Sequence, residues 1–259
     1  MTQASGAWDP AQYAKFAAER SEPFYDLLTM VEPRPDMSVV DLGCGSGELT
    51  AVIHERLRAH TTVGIDSSAA MLAEAPEVQP GLSFEEHDIS EFAPGAPVDL
   101  VFSNAALQWL DNHAALFERM ASWLTRDGQL AVQVPANFDH PSHTIAADIA
   151  GTEPFASKLG TDHRRPGVED PAFYEENLYE LGFERRHVRL QVYGHELCEP
   201  GDILEWMKGT LLTAYRKNLD DDTYAAFLDE YEAQLFAELP EAGPLLYPFK
   251  RILIWAAFE

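Results

Sequence analysis

Three glycines at alternate positions, Gly43, Gly45 and Gly47, are the residues of this sequence with the clearest capacity for chemistry. An apolar run that contains Asp41 comes before them, and residues with helical spacing come after them. Glycine permits positive φ angles and lets a ligand approach the backbone closely. The following helix points its free N–H groups and the positive end of its dipole at the turn. This strand, turn and helix predict a cofactor site of the nucleotide type, with Asp41 and the three glycines as candidate binding residues.

The spacing of the glycines indicates which kind of nucleotide. A dinucleotide fingerprint needs a glycine at position 48, where the sequence has Glu48. A P-loop is excluded because no Gly-Lys-Ser or Gly-Lys-Thr follows. Glu48 would repel a pyrophosphate, whereas a nucleoside that carries an amino acid has no phosphate to repel. A glycine turn without any ligand is the alternative reading of this stretch.

A second carboxylate, Asp66, ends the predicted strand over residues 61–66. It follows the glycine turn by roughly 20 residues, the spacing at which an acid meets ribose hydroxyls in nucleotide-binding folds. Its two acceptor oxygens match two vicinal hydroxyl donors. Asp66 and the adjacent Ser67 are therefore candidate cofactor-binding residues, although a plain helix cap is the alternative role for this acid.

Alternating strands and helices up to residue 135 predict the element order that positions these residues. Strands are expected over 82–86, 98–104 and 129–134, with a helix over 113–124, and such alternation requires a parallel, doubly wound α/β sheet. Ligands in these sheets bind at the carboxyl ends of central strands. We therefore expect the backbone around Asn104 and Ala105 to meet the amino-acid end of the cofactor.

The pattern changes after residue 136. Helices are predicted to begin near His140-Pro141 and over 173–181, 203–215 and 222–239, with a strand over 184–197 and a final strand over 249–257. We interpret 1–259 as one domain with a cofactor-binding core at 32–136. The helical stretches at about 137–180 and 200–247 are interpreted as a lid and substrate region over the carboxyl edge of the sheet.

The segment Asp41 to Gly47 resembles motif I of the class I methyltransferases that use S-adenosylmethionine (SAM). Gly-Ile-Asp-Ser-Ser at 64–68 matches the same family. The resemblance implies a Rossmann-like, mainly parallel sheet of seven strands. It also implies that Asp88, after the third strand, binds the exocyclic amine of adenine and that Ile89 packs on the adenine ring.

The N-terminal pattern W-D-P-x-x-Y…F-x-x-E-R-S and the later N-A-x-L-Q-W are similar to the trans-aconitate methyltransferase family. This resemblance implies that Tyr13 closes over the cofactor and that Phe16 and Trp109 line the substrate site, although each could be an ordinary core residue. The sequence departs from the family at two positions that commonly hold arginine. Glu22 and Thr213 stand there, and both weaken the expectation of a tricarboxylate substrate.

A carboxylate acceptor needs no general base, because it is ionised at neutral pH. We therefore expect no catalytic acid or base. His140 and His143 are expected to be exposed at a helix start, although His143 is also a candidate substrate-binding residue. A small acid needs fixed cations, preferably arginine, and Arg20 and Arg251 are the candidates.

The leading hypothesis is thus a SAM-dependent O-methyltransferase that acts on a carboxylate of a small acid similar to trans-aconitate. A second hypothesis is methylation of another small metabolite, or of the free carboxylate of a malonyl thioester. A hypothesis of a different class is a SAM-binding protein without turnover. The cations of the lid discriminate between the first two, and turnover with a panel of acids tests the third.

The composition limits the possible partners. The 259 residues carry a formal net charge of −25, which argues against nucleic acid and anionic membrane surfaces as partners. Two cysteines far apart cannot form a disulfide framework or a zinc site. The sequence has no apolar stretch of membrane length and no signal peptide, so we expect a soluble, cytoplasmic protein. The acidity is also typical of a high-salt cytoplasm, and the oligomeric state is not readable from the sequence.

Overall fold

We describe residues 17–77, 79–160 and 167–259 of a computed structural model of the chain, with the backbone alone for residues 17–20. By its internal contacts the chain divides into two compact units. The sheet unit comprises Ser21–Pro135, Gly167–Gln191 and Arg251–Glu259. The helical unit comprises the remaining described residues, 17–20, 136–160 and 192–250.

A seven-stranded sheet organises the sheet unit. Its strands are β1 (Ser38–Leu42), β2 (Thr61–Asp66), β3 (Leu82–Glu86), β4 (Val98–Asn104), β5 (Leu124–Pro135), β6 (Arg185–Leu197) and β7 (Leu245–Ala257). The order is β3-β2-β1-β4-β5-β7-β6, with parallel pairing from β3 to β5 and an antiparallel β7 beside β5. The predicted doubly wound, mainly parallel seven-stranded sheet is confirmed.

The helices of the described residues are α1 (Ala17–Met30), α2 (Glu48–Leu57), α3 (Ala69–Leu72), α4 (His113–Ser122), α5 (Pro141–Ala150), α6 (Phe155–Leu159), α7 (Pro171–Glu180), α8 (Gly201–Lys208), α9 (Leu211–Asn218) and α10 (Asp221–Glu238). Several begin at a side chain that accepts a hydrogen bond from the first turn. Asp170 caps α7 and Asp220 caps α10 in this way. Within the part of the chain that the structure describes, no helix is long and apolar enough to span a membrane.

The core of the sheet unit follows from the apolar runs in its central strands. Leu42 and Phe102 are fully buried, as expected for parallel strands that are covered on both faces. Phe24 of α1 packs edge-on against Phe102, with ring centroids 5.6 Å apart. Phe183 stacks on Phe258 with centroids 4.1 Å apart, which attaches the turn after α7 to the chain end. This packing holds the carboxyl ends of the strands in fixed positions.

The helical unit has a hydrophobic core of its own. Trp206, Phe227, Tyr231 and Tyr247 are fully buried members of this cluster. The Trp206 ring lies edge-on to Tyr247 with centroids 5.9 Å apart. Two aromatic hydroxyls are also satisfied, because Tyr231 donates to the carbonyl of Ser142 at 2.8 Å and Tyr247 lies 3.0 Å from the Ser142 hydroxyl. This apolar cluster is the core of the helical unit.

The structure differs from the sequence-based prediction at three element boundaries. The single helix predicted over 203–215 is two helices, because the chain turns at Gly209 and Thr210 between α8 and α9. β5 begins at Leu124 rather than Gln129, with a register irregularity in its pairing with β4. β7 begins at 245 rather than 249. Its pairing with β5 starts only at Arg251, so Pro248 removes no hydrogen bond from that ladder.

The contacts also bear on the extent of the helical stretches. The first predicted lid segment extends to about residue 180, whereas the structure assigns 167–180, including α7, to the sheet unit. The second segment, 200–247, lies entirely within the helical unit.

Candidate active site

The glycine turn after β1 has the strained geometry that its sequence indicates. Gly43, Gly45 and Gly47 have φ angles of 75°, 58° and 73°. The N–H of Gly43 donates to the carbonyl of Ile65 on β2 at 2.8 Å. A Cβ at Gly43 would lie 2.2 Å from the Cβ of Ala106, and one at Gly47 would lie 2.4 Å from the Phe84 ring. Both positions therefore require glycine for space as well as for φ.

Asp66 connects the glycine turn to the end of β2. Its Oδ2 accepts a hydrogen bond from the N–H of Gly45 at 2.9 Å, and its Oδ1 accepts one from the N–H of Ser68 at 2.8 Å. A carboxylate offers about four acceptor positions, so each oxygen retains capacity for a ribose hydroxyl. Ser67 is exposed beside it, and Ser68 caps α3. The arrangement fits the predicted ribose contact, and the alternative of a plain cap by Asp66 does not account for its bond to Gly45.

Replacing Asp66 with alanine should weaken SAM binding by on the order of 2 kcal/mol, because hydrogen bonds to a charged acceptor are lost. Isothermal titration with SAM measures the effect. Asp99→Ala is the matched control, since Asp99 also accepts a backbone hydrogen bond, from Ser38, at the start of β4. Unchanged SAM affinity in Asp66→Ala, or an equal loss in both variants, would contradict the ribose role.

Asp41 is buried behind the turn rather than open to solvent. It is 4% exposed, and its Oδ2 accepts a hydrogen bond from the hydroxyl of Thr50 on α2 at 2.6 Å. Burial raises the pKa of Asp41 to about 7, opposed by the Thr50 hydrogen bond and aided by the nearby negative charge of Asp66. Asp41 therefore joins β1 to α2 beneath the turn and fixes where the turn begins.

The raised pKa of Asp41 should make the free energy of unfolding depend on pH. The folded protein holds this proton up to about pH 7, whereas the unfolded chain releases it near pH 3.8. Asp41 should therefore reduce the free energy of unfolding as pH rises from about 4 to 7. Asp41→Asn removes this titration, so its stability relative to the wild type should rise over that range by up to about 4 kcal/mol. Denaturant unfolding at several pH values measures the difference.

Asp99→Asn is the control for the sign of the change in stability with pH. Desolvation raises the pKa of Asp99, but hydrogen bonds from Ser38 and Thr125 outweigh it, so the net pKa is lowered. Asp99 should therefore stabilise the fold above pH 3.8, a contribution that is lost as pH falls. A pH-independent difference between Asp41→Asn and the wild type would show that Asp41 does not titrate abnormally.

The loop after β3 brings the predicted adenine contacts to the glycine turn. Hydrogen bonds from the Ser90 hydroxyl and N–H lower the pKa of Asp88, which keeps this exposed carboxyl ionised. The Cδ1 of Ile89 lies 3.6 Å from the position of a Cβ on Gly43. Arg119 donates to the carbonyls of Ile89 and Ser90 and so fixes the loop. An acceptor and an apolar side chain stand side by side, as an adenine ring with an exocyclic amine requires.

The end of β4 holds acceptor atoms that no group of the described residues satisfies. Ala105 has a φ of 54°, a left-handed conformation that is rare outside glycine and asparagine. Its carbonyl accepts from the Nε2 of Gln108 at 2.6 Å. The Oδ1 of Asn104 and the Oε1 of Gln108 are both buried without a hydrogen-bond partner. These two acceptors fit the ammonium group of an amino acid such as the methionine part of SAM.

Sequence reasoning missed Gln133, which is fully buried near the end of β5. Gln133 pairs with Asn104 across the β4–β5 ladder. Its Oε1 accepts a hydrogen bond from the Nη1 of Arg251 at 3.3 Å, and its Nε2 is buried without a partner in the part of the chain that the structure describes. The available signal was a polar residue inside the apolar run Ala131 to Val134. The same signal, a glutamine next to apolar residues, marks Gln108.

The predicted substrate-binding residues differ in their burial and in whether the structure describes them. Arg251 is 5% exposed at the start of the part of β7 that pairs with β5. Trp109 ends a short 3-10 turn and is 44% exposed, so the alternative that it is an ordinary core residue is wrong. Tyr13 and Phe16 lie outside the described residues, and Arg20 is described by its helical backbone alone.

The expectation of exposed histidines at the start of α5 is wrong for His143. It is buried in the helical unit, with its Nδ1 3.1 Å from the Ser142 hydroxyl and its ring edge-on to Phe138. Burial, together with the charge of His140, lowers the pKa of His143 to about 3. His140 itself is half-buried and caps the helix through Ser142. His143 is thus neutral at pH 7 and a weak base.

The two departures from the family pattern have ordinary environments. Glu22 is exposed on α1. Thr213 is buried on α9, where its hydroxyl donates to the carbonyl of Thr210 at 2.5 Å. Neither position supplies a cation.

Comparisons with known proteins agree with this geometry. A family model described as a methyltransferase domain matches residues 39–128, which include the glycine turn and the ends of β2 and β4. Among solved structures, the YcgJ protein of Bacillus subtilis superposes with a TM-score of 0.59 at 12% identity over 92% of this chain and 98% of that one. A phosphoethanolamine N-methyltransferase of Haemonchus contortus, solved with SAM, has a TM-score of 0.55 at 15% identity over 92% of this chain and 52% of that one. At these identities the structural likeness shows the fold alone.

The sequence relatives are more specific. A trans-aconitate 2-methyltransferase of Deinococcus radiodurans is 44% identical over 96% of this chain and 97% of its own. The enzyme of that name from Methylobacterium nodulans is 40% identical over the same shares, and one from Escherichia coli is 37% identical over the same shares. The predicted resemblance is confirmed: the chain belongs to the trans-aconitate 2-methyltransferase family of SAM-dependent methyltransferases.

Proposed function

We propose that the chain transfers the methyl group of SAM to a carboxylate of trans-aconitate. The observation that carries the proposal is the order of groups along the carboxyl edge of the sheet. Strands β3, β2, β1 and β4 are consecutive in the sheet. At or just after their carboxyl ends lie, in that order, Asp88, Asp66, the glycine turn and Asn104. Three inter-strand spacings, about 14 Å in total, separate the two ends of this row. This row supports the proposal because it offers a candidate contact for each part of an extended adenosyl amino acid.

The next strands along the same edge supply the groups for an acid. Beyond β4 come β5 and β7, which carry Gln133 and the buried guanidinium of Arg251. Arg251 donates from Nη1 to the Oε1 of Gln133, and a guanidinium pairs with carboxylates in bidentate fashion. The formal net charge of −25 makes a buried arginine at this edge a local attraction for an anion in an otherwise repelling protein.

The chemistry needs alignment rather than proton transfer. SAM, when bound, supplies an electrophilic methyl group on a sulfonium. Arg251 would hold the acid so that an ionised carboxylate oxygen faces that methyl group, with no base to remove a proton. His143, with a pKa of about 3, supports this reading because it stays neutral and is too weak a base at pH 7.

The remaining parts of the proposal concern water exclusion and location. We propose that the helical stretches at about 137–160 and 200–247 act as the lid that excludes water from the reacting groups. Five further residues are candidate contacts with ligands: Tyr13, Phe16, Arg20, Trp109 and His143. The negative charge supports a small-molecule acceptor rather than nucleic acid. A cytoplasmic location belongs to the same proposal.

The experiment is an S-adenosylhomocysteine release assay with trans-aconitate, cis-aconitate, monocarboxylic acids and malonyl thioesters side by side. We expect turnover with trans-aconitate to exceed the others by at least tenfold in kcat/KM, which corresponds to about 1.4 kcal/mol. Preference for a monocarboxylic acid or a thioester would contradict the proposed acceptor and would point to Glu22 and Thr213 as marks of a different substrate. No release with any acid would revive a SAM-binding protein without turnover.

A further inference from the structure

Two buried glutamines on β5, Gln129 and Gln133, differ in how their amides are satisfied. Both amide atoms of Gln129 have hydrogen-bond partners. Its Oε1 accepts from the N–H of Glu32 at 2.8 Å and from the Nε1 of Trp255 at 3.1 Å, and its Nε2 donates to the carbonyl of Glu32 at 2.8 Å. Only one amide atom of Gln133 is satisfied: its Oε1 accepts from Arg251, whereas its buried Nε2 has no partner among the described residues. A buried amide donor without an acceptor is costly, so an unpartnered one at the carboxyl edge of the sheet indicates a ligand.

Arg251 determines the direction in which Gln133 donates. Rotating the amide by half a turn would place the Nε2 donor against the guanidinium, where two donors would face each other. The observed orientation, with Oε1 toward Arg251 at 3.3 Å, is therefore the stable one. The N–H groups of Nε2 are left to point at whatever binds beside the two residues.

The place of Gln133 in the sheet indicates which molecule that is. Asn104 and Gln133 are register partners on β4 and β5, and β7 with Arg251 lies on the far side of β5. The row of cofactor contacts from Asp88 to Asn104 ends at β4. Groups on β5 and β7 therefore lie beyond this row, on the side next to the amino-acid half of the cofactor. The sulfonium that carries the methyl group joins that half to the ribose, so an acceptor held on this side can reach the methyl group.

We infer that Gln133, held in place by Arg251, binds the acceptor by donating a hydrogen bond from Nε2 to one of its carboxylate oxygens. This inference rests on the proposed function. A carboxylate is the acceptor chemistry that a neutral amide donor beside a guanidinium fits best. The methionine carboxylate of SAM has the same chemistry, and the experiment separates the two sources.

The hydrogen bond has a defined place in the reaction. Gln133 holds an oxygen that does not attack, which leaves the attacking oxygen with its lone pairs free. That oxygen forms a bond to the methyl carbon as the carbon–sulfur bond breaks and its electron pair stays on sulfur. The products are a methyl ester and S-adenosylhomocysteine, and no proton is transferred.

The test compares Gln133→Met and Gln133→Glu with Gln129→Met as the matched control. Gln133→Met removes the donor at similar side-chain length, and Gln133→Glu keeps a partner for Arg251 while it places a negative charge beside the acceptor. We expect the KM for trans-aconitate to rise about tenfold or more in Gln133→Met and further in Gln133→Glu. The dissociation constant for SAM, measured by isothermal titration, should stay within about twofold of the wild type. Gln129→Met should lower the melting temperature and leave both constants unchanged.

The outcomes separate this inference from the proposed function. If the wild type turns over another carboxylic acid instead of trans-aconitate, the proposed acceptor is wrong, and a raised KM for that acid in the Gln133 variants still supports the inference. A loss of SAM affinity with unchanged KM for the acid assigns the donor to the cofactor and overturns the inference. Equal effects in Gln133→Met and Gln129→Met, or an active Gln133→Glu with wild-type KM, assign Gln133 a structural role and overturn it as well.

Discussion

Gly43→Ala should reduce SAM affinity by more than 100-fold. The new Cβ would lie 2.2 Å from the Cβ of Ala106, at a φ of 75° that disfavours any side chain. Either the turn or Ala106 has to shift, and a shift of the turn disturbs the hydrogen bond from the N–H of Gly43 to the carbonyl of Ile65. Overpacking and left-handed strain together should also lower the free energy of unfolding by about 2–4 kcal/mol. Isothermal titration with SAM and denaturant unfolding measure the two effects.

Gly182→Ala is the matched control for backbone strain. Gly182 has a φ of 85°, and a Cβ there would meet nothing within 4 Å. It should lose about 1 kcal/mol of stability from the left-handed conformation and retain SAM affinity. The account of the glycine turn is contradicted if Gly43→Ala binds SAM as tightly as Gly182→Ala.

Arg251→Ala should raise the KM for the acid by about 100-fold and leave SAM affinity nearly intact, because it removes the cation that binds the carboxylate and releases the Gln133 amide. Steady-state kinetics with each substrate varied in turn measures the two KM values. The expected stability loss is moderate, so the assay temperature has to stay below the melting temperature of the variant.

Two variants test whether the effect belongs to the site. Arg185→Ala removes an arginine of the same sheet unit that is exposed and paired with Glu32 at 2.6 Å, and it should leave both KM values unchanged. Arg251→Lys keeps the charge without the planar fork and should recover part of the loss. A loss of SAM binding in Arg251→Ala, with the acid KM unaltered, would mean that Arg251 supports the fold or the cofactor instead.

The geometry of the candidate cofactor site was predictable because its signals are local. The glycines, Asp66 and the strand ends are close together in the sequence. Their spacing follows from backbone requirements that can be read directly from the residue types. The same holds for the sheet, whose strands up to β5 alternate with helices in sequence order. Asp41 was found by its place in the motif, although its burial and its bond to Thr50 depend on how α2 packs on β1.

The acceptor side was less predictable because its contacts are distant in sequence. Gln133 and Arg251 are 118 positions apart and meet because β7 returns antiparallel beside β5. The burial of His143 depends on residues such as Phe138 and Phe249, which join it only in the folded helical unit. The break between α8 and α9 has a signal in Gly209, which a continuous apolar period concealed.

The measurement that tests the central claim most directly follows the transferred methyl group. The enzyme is incubated with trans-aconitate and SAM labelled in its methyl group, and the product is then treated with base. If the methyl group goes to a carboxylate, one label should be transferred for each S-adenosylhomocysteine formed, and base should release all of it as methanol. A label that survives base, or none transferred to the acid, would contradict carboxylate methylation by this chain.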